Sequence, residues 1–273
     1  MFRQRLITAA ILVPLTVWAV LFLPTGVIAW PLALVMGIGA WEWAGLVRLQ
    51  AKGARLLYAL VVLLLLWGSR FLPLAGIAIV GAIWWGICTI LLLRWAQHRP
   101  ATPLLQNMPA LGLIAGILVL VPAWRATIGL HALPTVGPKM VLFLFLLVWL
   151  ADSAAYLVGR RFGHTRLAPA LSPGKTKEGV YGALAAGLLL SLIGGEVFAF
   201  SGLAWWGFVG LGLLTLLVSV MGDLLESLFK RMGAVKDSGH LLPGHGGVLD
   251  RVDSLTAAAP VFALGVWILG QLQ

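Results

Sequence analysis

The sequence predicts an all-α, polytopic integral membrane protein with about nine transmembrane helices and a cytoplasmic N-terminus. Hydrophobic residues fill 61% of its 273 positions and charged residues only 10%, whereas soluble domains carry about 25% charged residues. Long apolar runs recur along the whole chain, and basic residues collect in every second segment between them. Because no linker or internal repeat divides the sequence, we expect one membrane domain over residues 1–273.

Each predicted helix is an apolar run long enough to cross the roughly 30 Å of hydrocarbon in a bilayer. The first run is about 18 residues long, which exceeds the apolar core of a typical signal peptide and favours an uncleaved helix. The third and fourth runs meet at Leu72-Pro73, where the chain either turns or kinks. The runs cover residues 6–23, 27–47, 56–72, 74–93, 109–130, 140–158, 180–200, 204–224 and 254–271.

The distribution of basic residues tests this count of spans. Sixteen of the 19 Lys and Arg residues lie at the N-terminus or in the 2–3, 4–5, 6–7 and 8–9 segments, and three lie on the other side. Lys and Arg collect in the cytoplasmic loops of membrane proteins. The asymmetry therefore predicts a cytoplasmic N-terminus, and it explains the net charge of +10 without a nucleic-acid partner.

The eighth run continues as a helical pattern past the expected membrane boundary. From Ala204 to Met232 it would extend about 43 Å at 1.5 Å per residue, which is longer than the hydrocarbon is thick. Gly233 is the expected stop. Asp223 should therefore lie near the cytoplasmic boundary, with the last turns of this helix beyond it.

Carboxylates are concentrated near the C-terminus, where a segment ending at Asp253 holds five of the nine Asp and Glu residues. Asp223, Glu226 and Ser227 share one helix face because they are three and four positions apart. Asp250 precedes Asp253 by three positions at the start of the ninth run, where a helix N-terminus favours negative charge. Clustered oxygen ligands suit Mg²⁺, and the single cysteine argues against zinc. Alternatively, these acids only neutralise nearby basic residues.

Two cytoplasmic segments, 159–179 and 223–253, are expected to form the catalytic face. In the first, Lys175 and Lys177 lie in a glycine-bounded loop, where they either hold phosphate or follow from the positive-inside rule. In the second, the run from His245 to Gly247 allows close backbone approach to a ligand, because glycine has no side chain. His245 either donates to a phosphate or caps a turn.

Two further acids lie inside apolar runs, Asp152 in the sixth and Glu42 in the second. A carboxylate at membrane depth is costly, so each is a candidate functional residue. One interpretation is a transporter in which both bind a cation or proton. That interpretation predicts broken helices in matching halves of the chain, and the sequence shows no such halves.

The polar segment near the C-terminus resembles the signature of the phosphatidate cytidylyltransferases, also called CDP-diacylglycerol synthases. That signature places Ser before Lys-Arg, then Lys-Asp, then His-Gly-Gly, and ends in Asp-Arg-hydrophobic-Asp. The hydrophobic body and the 172–179 loop are also similar to bacterial members, so the resemblance covers most of the chain. The matching residues are Ser227, Lys230, Arg231, Lys236, Asp237, Gly239, Pro243, His245, Gly246, Gly247, Asp250, Arg251 and Asp253.

The resemblance implies transfer of CMP from CTP to phosphatidate by a multi-pass, homodimeric enzyme of the inner membrane. It implies Mg²⁺ held by Asp223 and Asp250, and it leaves open whether a second cation assists. Lys230 and Arg231 would join these two aspartates as catalytic residues. The implied substrate-binding residues are Ser172, Lys175, Lys177, Ser227, Lys236, Asp237, His245, Gly246, Gly247, Arg251 and Asp253. The nearest alternative is a CTP-dependent lipid-alcohol kinase, which needs a base for its hydroxyl substrate.

Overall fold

The computed structural model describes residues 2–95, 108–241 and 246–270, with side chains from Ala10 onward. Eight helices in these ranges are long and apolar enough to cross a membrane, and the first helix adds the shorter apolar stretch Ala10–Phe22. The elements are α1 (Phe2–Phe22), α2 (Thr25–Leu46), α3 (Lys52–Ser69), α4 (Leu74–Trp95), α5 (Pro109–His131), α6 (Gly137–Phe162), β1 (Arg166–Ala168), β2 (Ser172–Thr176), α7 (Lys177–Val197), α8 (Gly202–Gly233) and α9 (Leu249–Leu269).

The predicted all-α, polytopic fold is confirmed, and the structure decides between the turn and the kink that the sequence left open between the third and fourth spans. α3 ends at Ser69 and α4 begins at Leu74, so the chain turns between them instead of continuing as one kinked helix. Pro73 lies directly before α4, where its missing N–H costs nothing because the first N–H groups of a helix have no partner within it. Proline alone does not force the turn, since Pro31, Pro122 and Pro260 lie inside helices of this chain.

The segment between α6 and α7 was expected to be a loop, and that expectation was wrong in part. β1 and β2 form an antiparallel hairpin in which Arg166 lies opposite Thr176 and Ala168 lies opposite Ser172. The Thr176 side chain then accepts a hydrogen bond from the Gly179 N–H at 3.1 Å and caps the start of α7. Lys175 therefore projects from a strand that is fixed to a helix. We call this end of the helix bundle the hairpin end.

α8 runs from Gly202 to Gly233, so it begins two residues before Ala204 and ends at the glycine that the sequence marked as its stop. It contains 32 residues, and Ala234 adopts the left-handed conformation after it, with φ of 56°. Glycine at position 233 also serves packing, because a Cβ atom there would lie 3.1 Å from the Leu46 carbonyl oxygen. The helix thus extends about 48 Å at 1.5 Å per residue, and its last turns lie beside the end of α2.

Close packing of α8 against α9 places their polar residues side by side. A Cβ atom at Gly222 would lie 3.0 Å from the Ala257 Cβ atom and would also meet the Asp253 backbone, so glycine permits this approach. Farther from the hairpin end, Phe143, Phe208 and Phe262 join α6, α8 and α9 through ring contacts of 5.2–6.1 Å. α9 also packs on α4 and α5, and α7 packs between α6 and α8.

Candidate functional site

Four polar residues form a row along one face of α8, which we call the α8 row: Asp223, Glu226, Ser227 and Lys230. Their spacing of three and four positions puts them on adjacent turns. Ser227 Oγ donates to Asp223 Oδ1 at 3.3 Å, and Lys230 Nζ donates to Glu226 Oε2 at 3.2 Å. The helical spacing in the sequence therefore predicted this part of the site.

Lys230 connects the α8 row to the first turn of α9. Its Nζ atom donates to Asp250 Oδ1 at 2.8 Å as well as to Glu226. The exposed fractions of these side chains are only 16% for Lys230, 2% for Glu226 and 6% for Asp250. A buried ammonium group thus holds two carboxylates together through charge-assisted hydrogen bonds.

The other oxygen of Asp250 is held by the segment that precedes α9. Asp250 Oδ2 accepts from the Ser238 N–H at 3.0 Å, from Ser238 Oγ at 2.9 Å and from the Gly247 N–H at 2.8 Å. Gly246 has a φ of +80°, and a Cβ atom there would lie 2.8 Å from Asp250 Oδ2. A Cβ atom at Gly247 would meet Ser238 Oγ and the Glu42 carboxylate, so both glycines are needed for the close packing around Asp250. Their contact with a substrate stays a prediction.

Glu42, which the sequence singled out only weakly, fixes the start of α9. Its carboxylate accepts from the Val248 N–H at 3.1 Å and the Leu249 N–H at 2.8 Å, although 206 positions separate it from Val248. It also accepts from Ser238 Oγ at 3.2 Å. The sequence placed the ninth run at 254–271 and so gave no sign of this contact, but the observed start of α9 follows Val248, which cannot cap a helix with its side chain. The start of α9 therefore needed an acceptor from elsewhere.

Glu42→Gln is expected to lower the free energy of unfolding by about 1–3 kcal/mol, because an amide cannot accept with both terminal atoms and leaves a buried N–H without a partner. It should also lower activity, since Ser238 and Asp250 lose their alignment. Thermal unfolding in detergent measures the first effect. Glu178→Gln is the matched control, because Glu178 accepts from the Thr165 N–H at an exposed position where water can replace it. Equal melting temperatures for the two variants would contradict the capping role.

A cavity of about 540 Å³, the first cavity, opens between the hairpin, α6, α7 and α8. Lys175 of β2 reaches across it and pairs with Asp223, with 2.6 Å between Nζ and Oδ2. Asp152 of α6 also lines the cavity, and its charge interacts with those of Lys175 and Asp223. The structure thus brings Asp152 to the site as a wall residue, close to two residues that the sequence assigned to catalysis and substrate binding.

The remaining candidates are spread over the hairpin end. Asp253 is near the α8 row, and its charge interacts with that of Asp223. Arg231 points away from the row and donates from Nε to the Leu171 carbonyl oxygen at 3.2 Å. Ser172 and Lys177 do not line the first cavity. The exposed candidates are Lys177, Arg231, Lys236, Asp237 and Arg251, whereas His245 and Pro243 lie outside the described residues.

The donors around Asp223 suit a hard divalent cation such as Mg²⁺. The Asp223 side chain is 31% exposed, and among the residues that the structure describes its Oδ1 atom accepts only the long bond from Ser227. Asp250 could contribute Oδ1 after Lys230 moves away, because its Oδ2 atom already has three donors. Within the described ranges, no group of three His, Cys, Asp or Glu residues is arranged to hold a metal ion. Mg²⁺ commonly binds through one or two carboxylates plus water and substrate phosphates.

Comparison with known proteins identifies the family. Residues 3–269 match the model of the cytidylyltransferase family. The chain is 41% identical to the phosphatidate cytidylyltransferase of Pseudomonas aeruginosa, over 99% of this chain and 98% of that protein. It is 37% identical to the one of Haemophilus influenzae, over 96% and 98%, and 35% identical to the one of Brucella suis, over 96% and 92%. The match extends across nearly the whole length, so the chain belongs to the cytidylyltransferase family.

Proposed function

We propose that this protein transfers CMP from CTP to phosphatidate, producing CDP-diacylglycerol and pyrophosphate. The proposal includes Mg²⁺, a homodimer, and a site on the cytoplasmic face of the inner membrane. One observation carries it in this chain: the Lys175–Asp223 pair joins the basic hairpin to the acidic α8 row beside a cavity. Such an arrangement can hold anionic groups and a metal at the same place.

The first cavity has the polarity that a phospholipid with a phosphate headgroup requires. Its polar wall includes Arg160, Arg166 and Lys175, and its apolar wall includes Val180 and Ala183. Tyr156, which lines the cavity, and the neighbouring Leu157 are exposed large hydrophobic side chains on the membrane helix α6. The phosphate of phosphatidate would therefore lie against the basic wall while its acyl chains stay among lipids.

The reaction needs positioning more than proton transfer. A phosphate oxygen of phosphatidate forms a bond to the α-phosphorus of CTP, the bond from that phosphorus to the bridging oxygen of the β-phosphate breaks, and pyrophosphate leaves with the electron pair. The attacking phosphate is already anionic at neutral pH, so no general base is required. Lysine and arginine side chains oppose the repulsion between the two polyanions and orient them for in-line attack.

Within this proposal, Asp223 and Asp250 would hold Mg²⁺, which when bound neutralises phosphate charge and favours departure of pyrophosphate. Asp223 would use Oδ1, which accepts only the long bond from Ser227 among the described residues. Asp250 would use Oδ1, the atom that Lys230 now contacts at 2.8 Å. Lys230 would then be free to bind a phosphate, so one lysine serves to keep Asp250 charged before the substrates arrive and to bind them afterwards.

Labelled CTP distinguishes this proposal from a lipid-alcohol kinase. With purified protein in detergent micelles, phosphatidate and Mg²⁺, label at the α-phosphate should enter the lipid and label at the γ-phosphate should enter pyrophosphate. EDTA should abolish the transfer, and added Mg²⁺ should restore it. Label from the γ-phosphate appearing in an isoprenoid alcohol, with none from the α-phosphate in phosphatidate, would show that the kinase alternative is right.

A further inference from the structure

A second cavity, of about 520 Å³, lies at the hairpin end between α2, the start of α3 and residues 235–241. No described residue lines both cavities. The proposed function uses the first cavity for phosphatidate and assigns nothing to the second. Its polar and aromatic lining residues are Trp41, Glu42, Arg55, Asp237, Ser238 and His240.

The second cavity is adjacent to Asp250. Ser238 lines the cavity and donates both its N–H and its hydroxyl group to Asp250 Oδ2. Asp237 is close as well, because a Cβ atom at Gly246 would lie 3.3 Å from the Asp237 Cβ atom and 2.8 Å from Asp250 Oδ2. A ligand in this cavity would therefore be separated from Asp250 by a single residue, on the side away from the first cavity.

The polar groups free to bind a ligand there are few and distinct. The Glu42 oxygens are engaged by the start of α9 and by Ser238. Arg55 donates from Nε to the Leu49 carbonyl oxygen at 2.6 Å, which orients the guanidinium group. No hydrogen bond or ion pair to another described residue engages its two Nη atoms or the exposed Asp237 carboxylate. The cavity thus offers the Asp237 carboxylate as an acceptor, the Arg55 guanidinium as a planar donor, the Trp41 ring and the exposed His240 imidazole.

These groups match the hydrogen-bonding edge of cytosine. Cytosine donates from its N4 amino group, for which Asp and Glu are suitable acceptors. Its N3 and O2 atoms accept, which suits a guanidinium donor, and its ring can stack on an aromatic side chain. Uracil carries an acceptor, O4, in place of the amino group, so it would face the Asp237 carboxylate with two acceptors opposed.

We infer that the second cavity binds the cytosine base of the nucleotide, with Asp237 accepting from N4 and Arg55 donating to N3 or O2. This inference rests on the proposed function. The triphosphate would then extend past Asp250 and Lys230 toward the α8 row, while phosphatidate approaches the same row from the first cavity. The two substrates would enter from opposite sides and meet at the acidic residues.

Asp237→Asn tests the inference through base selectivity. The amide can donate to O4 of uracil and is a poorer acceptor for N4 of cytosine, so the ratio of kcat/KM for CTP to that for UTP should fall about tenfold or more. Arg55→Gln should raise KM for CTP about tenfold and leave KM for phosphatidate unchanged. Arg166→Gln, in the wall of the first cavity, is the control: it should raise KM for phosphatidate and leave the CTP-to-UTP ratio unchanged.

The outcomes separate this inference from the proposed function. If the unmodified protein makes no CDP-diacylglycerol, the proposed function fails. If it does, and neither Asp237→Asn nor Arg55→Gln changes selectivity or KM for CTP, only the cytosine assignment fails. The cytosine assignment would also be overturned if Arg55→Gln weakened the binding of CTP and UTP equally and Asp237→Asn left the CTP-to-UTP ratio of kcat/KM unchanged. The cavity would then bind the phosphates of the nucleotide and not its base. Asp237 is exposed, so its amide variant should fold and carry the test even if Arg55→Gln does not.

Discussion

Asp223→Asn is expected to lower kcat by about 10²–10³, the usual cost of removing one electrostatic group from a catalytic site. The asparagine has the same shape but no charge, so it would bind both Lys175 and Mg²⁺ poorly. The fold should survive, because the Asp223 side chain is 31% exposed and pairs with Lys175 at the edge of a cavity. Initial rates at saturating CTP and phosphatidate, measured over a range of Mg²⁺ concentrations, give the effect.

Glu196→Gln provides the matched control for the loss of a carboxylate. Glu196 is exposed in the last turn of α7, at the end of that helix farthest from the hairpin. Its variant should therefore retain normal turnover. Asp250→Asn should also be inactive, but it is the less clean test. The NH₂ group of the asparagine would face either the three donors around the Oδ2 position or the Lys230 amine at the Oδ1 position. Either contact places donors against donors and would disturb the start of α9. Near-normal turnover in both aspartate variants would refute the metal assignment.

The membrane fold was predictable because each spanning helix satisfies its own backbone hydrogen bonds, so length and hydropathy largely determine it. The α8 row was predictable for a similar reason, since Asp223, Glu226 and Lys230 depend only on helical spacing within one element. These features require no knowledge of how distant parts of the chain meet.

The contacts that complete the site join distant parts of the chain, and no local pattern encodes them. Glu42 reaches the start of α9 only because α2 packs beside it, and Lys175 meets Asp223 only because α7 packs between α6 and α8. The hairpin was missed because Pro and Gly within Ser172–Thr176 are unfavourable in strands. Pairing with Arg166–Ala168 and the cap at Thr176 outweigh that local preference.

Lys230→Met is expected to lower the free energy of unfolding by about 3–5 kcal/mol, the usual cost of removing one partner from a buried ion pair. The substitution keeps most of the side-chain volume but leaves the Glu226 and Asp250 carboxylates buried without their shared cation. Thermal unfolding in detergent should show a clear fall in melting temperature. Lys236→Met, at an exposed lysine with no ion pair to another described residue, should leave the melting temperature nearly unchanged.

A second substitution separates the structural role of Lys230 from its role with substrate. In the Lys230→Met background, Glu226→Gln replaces a buried carboxyl group with a neutral amide and should recover part of the lost stability, because the Glu226 carboxyl lies beside the Asp253 carboxyl and no longer has Lys230 as a partner. Activity should not return if the lysine also binds a phosphate during transfer. If the double variant recovers both stability and turnover, Lys230 only holds the two carboxylates together. If Lys230→Met alone keeps the wild-type melting temperature, Lys230 does not stabilise these carboxylates at all.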